Sequence, residues 1–284
     1  MSTSIKELKS VNLASFTIIM TAIAVLFSII SSIAIVIGIG IASPGSIGVS
    51  LYLIPTIIVG TFMYTIYNAF CEGFLFNIIS KKVNTIKLAF ADEKELIKVS
   101  TTQTAIIIAM IITIQVILIY LASSFILPLL LSSIMQTLMF SGQEMIAYSI
   151  YQILMLISQP MIIAMIIFGT FIISFVFVLL GTYIYNILAN TGRGAVFNLT
   201  KEDNMTAIES IDTLKLGIVF AVVGGVLNLI SALITLISGG EILSFLINVI
   251  VGFISLFIYG ILIAIFYNFL APKLGKIKLE LIDQ

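Results

Sequence analysis

Three Tyr-Asn pairs are the residues whose type and spacing could carry chemistry. They are Tyr67-Asn68, Tyr185-Asn186 and Tyr267-Asn268, each near the end of an apolar run that precedes a charged stretch. If Asn68, Asn186 and Asn268 converge, their amide oxygens could coordinate a cation or a polar lipid headgroup. Alternatively, each asparagine forms an interhelical hydrogen bond near a helix end, and its tyrosine lies in the interfacial aromatic belt. We favour this structural interpretation and keep the three asparagines as candidates for a polar site.

Glu72 is the one acidic residue outside the evident loops and turns of the sequence. An ionisable group at membrane depth is a candidate functional residue, because leaving it there unpaired costs free energy. Glu72 precedes Lys81 by only nine residues, so an ion pair with a lysine of residues 81–98 at the interface is the simpler interpretation. Both interpretations stay open, and Glu72 joins the asparagines in the candidate polar site.

Arg193, in Thr191-Gly-Arg-Gly, is the only arginine of the chain. A Gly-x-Gly turn next to a membrane could hold a lipid phosphate, which makes Arg193 a candidate headgroup contact. The rest of a phosphate-binding loop is missing from this stretch. The pattern is more typical of a helix that stops in a flexible turn.

The composition is that of a polytopic membrane protein. Hydrophobic residues make up 61% and charged residues 9% of the 284-residue chain, and the mean hydropathy is +1.26, whereas soluble domains carry roughly 25% charged residues. A formal net charge of zero gives no basis for nucleic-acid binding. One cysteine and no histidine exclude an internal disulfide and a multi-thiolate metal site. No catalytic constellation is visible, so we expect neither a cofactor nor enzymatic activity.

The positions of the basic residues predict the topology. All Lys and Arg residues fall into four clusters, and the apolar blocks 11–80, 99–192 and 216–271 between them contain none. Each block is long enough for two spans of about 20 residues. The expected turns are at 43–45, 141–144 and 238–241. Six spans then put every basic residue and both termini on the cytoplasmic side of the cell membrane, although eight spans would preserve the same parity.

The middle block is longer than two helices require. Polar residues are scattered over 132–159, and Pro160 removes a backbone donor that a continuous helix would need. We therefore expect an external interfacial or re-entrant helix in this stretch, followed by a full span over about 161–189. Whether residues 132–160 span the membrane, re-enter it or lie on it stays open.

The three blocks predict a tandem repeat within one integral membrane domain, residues 1–284. Stretches such as 5–11 and 207–216 place apolar residues three apart before a span, which predicts an amphipathic helix in the headgroup layer. Alternating stretches such as 276–281 predict a short extended segment after each pair of spans. The predicted fold class is all-α, with about six transmembrane helices as three tandem hairpins. The predicted repeats are 1–91, 92–200 and 201–284.

The C-terminal stretch carries a family resemblance. Tyr267-Asn268-Phe-Leu-Ala271, followed by Gly275-Lys-Ile-Lys-Leu-Glu-Leu281, resembles the C-terminal signature of several prokaryotic membrane families of unknown function. In those families the last span ends in Tyr-Asn, and a pair of glycines, an isoleucine or valine and alternating apolar residues follow. Lys276 replaces the second glycine here. The resemblance implies a membrane location and no known activity. An isoleucine-rich composition with far more lysine than arginine is typical of a prokaryote with an AT-rich genome, archaea included.

Two functions fit these features. Spans without buried charge and the lack of a large soluble domain favour a non-catalytic membrane scaffold or complex subunit. Its expected partners are membrane lipids and a protein partner or a second copy of the chain, and no nucleic acid. The alternative is a permease or lipid-handling protein for neutral or apolar cargo, because tandem repeats are common in transporters. Gln152, Gln159 and the break at Pro160 could line its cavity, whereas an intramembrane enzyme is the least favoured class.

Overall fold

A computed structural model of the chain describes residues 3–83, 85–202 and 204–284. Residues 1 and 2, with which the first predicted repeat begins, lie outside the described residues. Six helical stretches are long and apolar enough to cross a membrane, which confirms the predicted helical multi-pass class. The helices are α1 (Leu13–Ala42), α2 (Ile47–Ser50), α3 (Leu53–Lys82), α4 (Thr101–Phe140), α5 (Glu144–Ile157), α6 (Pro160–Leu188), α7 (Thr213–Val219), α8 (Gly225–Ile237) and α9 (Ile242–Leu274).

Six strands form a closed barrel that the sequence analysis did not predict. They are β1 (Thr3–Val11), β2 (Ile86–Ala91), β3 (Glu95–Val99), β4 (Ala195–Glu202), β5 (Met205–Ile211) and β6 (Lys278–Asp283). Neighbouring strands are antiparallel in chain order, and β6 pairs with β1 to close the ring. This alternation puts the ends of β1, β3 and β5 and the starts of β2, β4 and β6 on one rim. We call it the helix rim, because every connection to a helix leaves or reaches the barrel there.

The amphipathic helices predicted before the three pairs of spans are wrong, because these stretches are the strands β1, β3 and β5. β1 shows the alternation of a strand, with a buried Lys6 between an exposed Ile5 and a half-buried Glu7. A spacing of three between Ile5 and Leu8 is compatible with a helix. Pairing with a distant part of the chain decides the outcome, since Leu8 lies opposite Ile86 in the β1–β2 ladder. If residues 3–11 formed a helix, one edge of β2 would have no strand partner. The strand β1 pairs with that edge and closes the barrel.

The extended segments predicted after each pair of spans are confirmed as β2, β4 and β6. A tight turn joins β2 to β3, where Asp92 and Glu93 adopt left-handed backbone angles, with φ of 49° and 57°. Two consecutive left-handed residues form the type of hairpin turn that matches the twist of the flanking strands. Each pair of strands that flanks a set of helices therefore connects directly to the next pair.

The expected turns between helices are confirmed, and so is the helix break expected at Pro160. Turns separate α1 from α2, α4 from α5, and α8 from α9. Pro160 is the first residue of α6, where its missing N–H would have had no partner in the helix. Pro272 lies inside α9, near its end. That helix ends at Leu274, and Gly275 follows with a left-handed φ of 103°, which favours glycine.

The barrel, the helices α1–α3 and α7–α9, and the barrel-proximal ends of α4 and α6 form one compact unit. Two clusters of buried residues lie at the helix rim. One contains Tyr185 of α6, Ala264 of α9 and Ala195 of β4. The other contains Ile19 of α1 and Tyr267 of α9. The best-packed part of this unit is therefore the junction between the strands and the membrane helices.

Residues 105–178 form a second compact unit. In it, α4 continues through Pro128 to Phe140, and α5 follows after a turn that contains Gly142 with a φ of 75°. With 14 residues, α5 is about 21 Å long, which is shorter than the hydrocarbon core of about 30 Å. This helix lies within the stretch 132–159 where a non-spanning helix was expected. Its position on or in the membrane stays a prediction.

Candidate functional site

Asn186 and Asn268 attach the ends of two membrane helices to the barrel. The Asn186 Oδ1 accepts a hydrogen bond from the Val99 backbone N–H, and its Nδ2 donates to the Val99 carbonyl oxygen, both at 2.8 Å. Asn268 forms the same two bonds with Ile211, again at 2.8 Å. Val99 and Ile211 are the last residues of β3 and β5. We call this two-bond contact an asparagine clamp.

Asn77, which the sequence analysis missed, forms the third asparagine clamp. Its Oδ1 accepts from the N–H of Val11, the last residue of β1, and its Nδ2 donates to the Val11 carbonyl oxygen, both at 2.8 Å. Asn68, the predicted counterpart, lies nine residues earlier on α3. The signal that could have found Asn77 is its distance from the next strand. Nine positions after Asn77, Asn186 and Asn268 come the first residue of β2, the first residue of β4 and the residue before β6, which are Ile86, Ala195 and Ile277.

The clamps secure the points at which strands turn into helices. The residues after Val11 and Ile211 are helix caps. The Asn12 Oδ1 accepts from the Ser15 N–H at 3.0 Å, and the Asp212 Oδ1 accepts from the Lys215 N–H at 2.9 Å. Such caps satisfy backbone donors that have no partner within the helix. In each clamp the asparagine amide uses both of its polar ends on one backbone residue, so it supports the chain rather than an open coordination site.

The two tyrosines that precede clamp asparagines are buried, whereas the sequence analysis placed them in an interfacial belt. The Tyr267 hydroxyl donates to the Ile208 carbonyl oxygen at 2.5 Å and accepts from the Ile277 N–H at 3.3 Å. Tyr185 forms the same kind of pair with a carbonyl of β3 and an N–H of β4, at 2.5 and 3.2 Å. Each hydroxyl therefore joins two neighbouring segments of the barrel. Phe76, which precedes Asn77, has no hydroxyl to do so.

Asn68 and Glu72 form a polar pair one turn apart on α3. The Asn68 Nδ2 donates to the Glu72 Oε1 at 2.8 Å, and both residues are half-buried. Within the described ranges Glu72 takes part in no ion pair, so the expected bond to a lysine of residues 81–98 is not the one observed. The hydrogen bonds described for the three predicted asparagines go to different partners: Glu72 for Asn68, Val99 and Thr101 for Asn186, and Ile211 for Asn268. A polar site at Asn68 and Glu72 stays a prediction.

Arg193 is exposed at the end of a π-helical turn, Ala189–Arg193, that follows α6. Gly192 in this turn has a left-handed φ of 74°. Gly194 leaves no room for a side chain, because a Cβ there would lie 2.4 Å from the Leu96 carbonyl oxygen. Both glycines thus serve the turn that stops the helix, as the simpler interpretation of the sequence proposed. A headgroup contact of Arg193 stays a prediction.

An ion-pair cluster links β4, β5 and β6. The Lys276 Nζ lies 3.0 Å from the Glu202 Oε1 and also contacts Glu209, and the Lys278 Nζ lies 2.8 Å from the Glu202 Oε2. Hydrogen bonds from Lys278 and Lys276 hold the pKa of Glu202 below its ordinary value, and a bond from Lys276 lowers the pKa of Glu209. The two carboxylates in turn raise the pKa of Lys276. The cluster presents balanced charge on the part of the barrel formed by β4, β5 and β6.

An apolar cleft of about 460 Å³ opens between α1 and α3, beside the end of α9. Thr17, Thr21 and Ala22 of α1, Phe62 and Ile66 of α3, and Leu274 of α9 line it. The cleft depends on how the side chains of three helices pack, so no sequence pattern pointed to it. Its walls suit an apolar molecule or chain.

Two kinds of finding bear on the chemistry and identity of this protein: whether its side chains group into a metal site, and whether the chain resembles known proteins. In the part of the chain that the structure describes, no three acidic or cysteine side chains come together in a way that could hold a metal ion. No family model, curated protein or solved structure matches this chain.

Proposed function

We propose that this protein is a non-catalytic membrane scaffold or complex subunit, whose barrel is a rigid platform fixed to the membrane by its helices. The observation that carries the proposal is the set of three asparagine clamps. Each clamp couples the end of a membrane helix to a strand end through two hydrogen bonds, so the barrel cannot tilt independently of the helices. Rigid coupling of this kind suits a protein that presents a surface at a fixed height above a bilayer.

We further propose that the chain consists of three tandem repeats, each with two strands around a helical hairpin. The hydrogen bonds at the helix rim support this organisation. The residues that follow the three clamped strand ends donate backbone N–H bonds to carbonyl oxygens ten positions after the clamp asparagines. These bonds run from Asn12 to Lys278, from Ser100 to Lys87 and from Asp212 to Val196, at 2.9, 2.9 and 3.0 Å. The second and third repeats would thus each bond to the exit strand of the preceding repeat, and the first would bond to the exit strand of the third.

The barrel is proposed to face the cytoplasm of a prokaryotic cell, with both termini on that side of the cell membrane. Every Lys and Arg of the chain lies in the barrel, in its connections, or in the helical turns next to the barrel. The three turns at the far ends of the helices carry no basic residue. By the positive-inside rule this asymmetry puts the barrel on the cytoplasmic side.

The expected occupant of the platform is a protein partner or a second copy of this chain. The described strands include exposed polar residues, such as Asn198, Thr200 and Lys201 on β4. Together with the ion-pair cluster, they make a surface that is polar without a strong net charge. Such a surface gives recognition through matched hydrogen bonds and ion pairs rather than through general attraction to polyanions.

Site-specific photo-crosslinking in native membranes tests the scaffold proposal. A photoreactive residue at Lys201, on the exposed face of β4, is expected to crosslink one stoichiometric protein, either a partner or a second copy. A photoreactive residue at Phe168, exposed on α6, is the matched control and should crosslink mainly lipid. Native mass spectrometry of the gently extracted complex then gives its stoichiometry. A protein that is monomeric by both methods and crosslinks no protein at Lys201 would contradict the proposal.

A permease or lipid-handling protein for neutral or apolar cargo is the second candidate, and the apolar cleft favours it. The distinguishing experiment is a flux assay in vesicles that contain the purified protein and a fluorescent phospholipid. Faster exchange of this lipid between leaflets than in protein-free vesicles would support lipid handling. Exchange at the protein-free rate would contradict it and leave the scaffold proposal unaffected.

A further inference from the structure

Five exposed basic residues lie where the membrane helices join the strands of the barrel. We call them the basic collar, and they are Lys81, Lys82, Lys98, Arg193 and Lys273. Lys82 and Lys273 each come five positions after a clamp asparagine, and Lys98 directly precedes a clamped strand end. The helices α3, α6 and α9 lead to β2, β4 and β6, which alternate around the closed barrel. The collar therefore surrounds the helix rim rather than forming one patch on it.

The charges of the basic collar are only partly offset by acidic side chains. None of its members belongs to an ion pair among the described residues, whereas five other lysines do. One of these is Lys276, whose Nζ lies 3.0 Å from the Glu202 Oε1. Two described carboxylates outside these pairs lie near the helix rim. Asp212 caps α7, and Glu280 accepts a hydrogen bond from the Ser10 hydroxyl at 2.6 Å. Five cations against two carboxylates leave this rim with a net positive charge.

The lengths of α3 and α9 place the basic collar in a headgroup layer. These helices have 30 and 33 residues, so they are about 45 and 50 Å long. A bilayer measures about 40–45 Å with its headgroups, and its hydrocarbon core measures about 30 Å. Each helix therefore crosses the core with its apolar middle and reaches a headgroup layer at both ends. Lys81, Lys82 and Lys273 lie in the last turns of these helices, at the barrel end.

We propose that the basic collar binds anionic phospholipids of the leaflet next to the barrel, through their phosphate groups. The choline of phosphatidylcholine offsets the charge of its phosphate, whereas the headgroup of phosphatidylglycerol keeps a net negative charge. Basic residues at the membrane surface attract the anionic lipid, and their contributions combine. The turns at the far ends of the helices contain no Lys or Arg, so the opposite leaflet gains no such contact. This assignment goes beyond the scaffold function and holds whether or not the barrel recruits a partner.

Native mass spectrometry from nanodiscs of stated composition tests the assignment. The discs contain equal parts of phosphatidylcholine and phosphatidylglycerol with identical acyl chains. After gentle release, the lipids that the full-length protein retains are expected to be enriched several-fold in phosphatidylglycerol. Equal retention of the two lipids, or a preference for phosphatidylcholine, would overturn the assignment.

Two double variants test whether the collar carries this preference. Lys82→Gln with Lys273→Gln removes two collar charges and is expected to lower the preference for phosphatidylglycerol by about threefold or more. Lys94→Gln with Lys201→Gln is the matched control, because both lysines are exposed and outside the ion pairs of the described residues. They lie in the β2–β3 turn and near the end of β4, at the opposite rim of the barrel. The control is expected to keep the wild-type preference, and equal losses in the two variants would overturn the collar as the binding surface.

A variant that keeps the charges separates their loss from any loss of structure. Lys82→Arg with Lys273→Arg preserves both cations at the helix ends and is expected to retain the wild-type preference. Circular dichroism in the same nanodiscs compares the helix content of all the double variants. A preference that falls as far in the arginine variant as in the glutamine variant would overturn an electrostatic contact.

Ionic strength provides an independent test on the unmodified protein. The Debye length falls from about 10 Å at 0.1 M salt to about 3 Å at 1 M. The enrichment in phosphatidylglycerol is therefore expected to fall several-fold between discs equilibrated in about 0.1 M and about 1 M ammonium acetate. An enrichment that is the same at both concentrations would overturn attraction by the exposed collar charges.

Discussion

The first and third pairs of long helices, α1 with α3 and α7–α8 with α9, reach the barrel in the same way but pack differently above it. Asn77 and Asn268 clamp Val11 and Ile211 with bonds of identical length. In the third pair, a Cβ on Gly260 would lie 2.9 Å from the Leu216 carbonyl oxygen, so the helices touch backbone to backbone. In the first pair, Gly60 has no atom of another residue within 4 Å of such a Cβ.

The strand-to-helix junctions are alike in the two helix pairs, whereas the packing of the helices above the junctions differs. The strand-to-helix junction uses one residue type and one geometry. Above the junction, Gly260 lets the helices of the third pair approach each other closely. In the first pair, the apolar cleft lies between α1 and α3. The features that could distinguish one such protein from another are therefore expected in the helix packing rather than at the helix rim.

The largest effect is expected from removal of a clamp. Asn268→Ala leaves the N–H and carbonyl of Ile211 without their partners, which is expected to lower the free energy of unfolding by about 2–4 kcal/mol. Denaturant titration in detergent, followed by circular dichroism, measures this loss. Asn198→Ala removes an exposed side-chain bond to Ser210 on the barrel surface and is the control, with a much smaller effect expected. Equal losses in the two variants would refute a special role for the clamp.

Next in size is the contrast between the two glycines. Gly260→Ala forces α9 away from the backbone of α7, which is expected to cost about 1–3 kcal/mol of stability. Gly60→Ala meets open space and gains helix propensity, so stability should stay unchanged or rise by up to about 1 kcal/mol. Paired thermal unfolding scans of the two variants measure the difference. A loss of the same size in Gly60→Ala would show that the first helix pair is as tightly packed as the third.

A smaller effect is expected from the tyrosine hydroxyl. Tyr267→Phe reproduces the side chain that Phe76 supplies in the first pair, and it removes one donated and one accepted bond, for a loss of about 1 kcal/mol. Tyr259→Phe on the same helix is the control. Its ring packs against Phe27 in a tilted arrangement and against Phe220 edge-on, contacts that phenylalanine preserves. Denaturant midpoints that fall together in both variants would argue against the hydroxyl bridge.

The smallest effect concerns the exposed ion-pair cluster and its dependence on pH. The folded-state pKa values of Glu202 and Glu209 are lowered, so their contribution to stability is present at neutral pH and is lost as the pH falls below about 4. The pKa of Lys276 is raised, so its contribution is lost only at strongly alkaline pH. Lys276→Gln should therefore be slightly less stable than the wild type at pH 7, and this gap should narrow as the pH falls below about 4. A gap between their melting temperatures that is unchanged at pH 3 would disprove this linkage.

The helices could be predicted from the sequence, whereas the closed barrel could not. The long apolar helices and the turns between them follow from local composition, such as the absence of Lys and Arg from residues 216–271, and these predictions are confirmed. The strands before the helices depend on pairing between distant segments, as between Leu8 and Ile86, and a spacing of three apolar residues cannot distinguish them from helices. Asn77 was not predicted because the prediction rested on Tyr-Asn pairs, and the residue before Asn77 is a phenylalanine, Phe76. The feature that the three clamp asparagines share is their distance along the sequence from the strand that follows.

The asparagine clamp as the common anchor of the helix pairs is tested most directly within α3, where Asn77 and Asn68 lie nine residues apart on one helix. The measurement is the free energy of unfolding of Asn77→Ala and Asn68→Ala in the same detergent. Asn77→Ala is expected to lose about 2–4 kcal/mol, because two backbone groups of Val11 lose their partners. Asn68→Ala is expected to lose about 1 kcal/mol or less, because its observed bond to Glu72 lies within one helix. A larger loss in Asn68→Ala than in Asn77→Ala would contradict the clamp and restore Asn68 as the counterpart of Asn186 and Asn268.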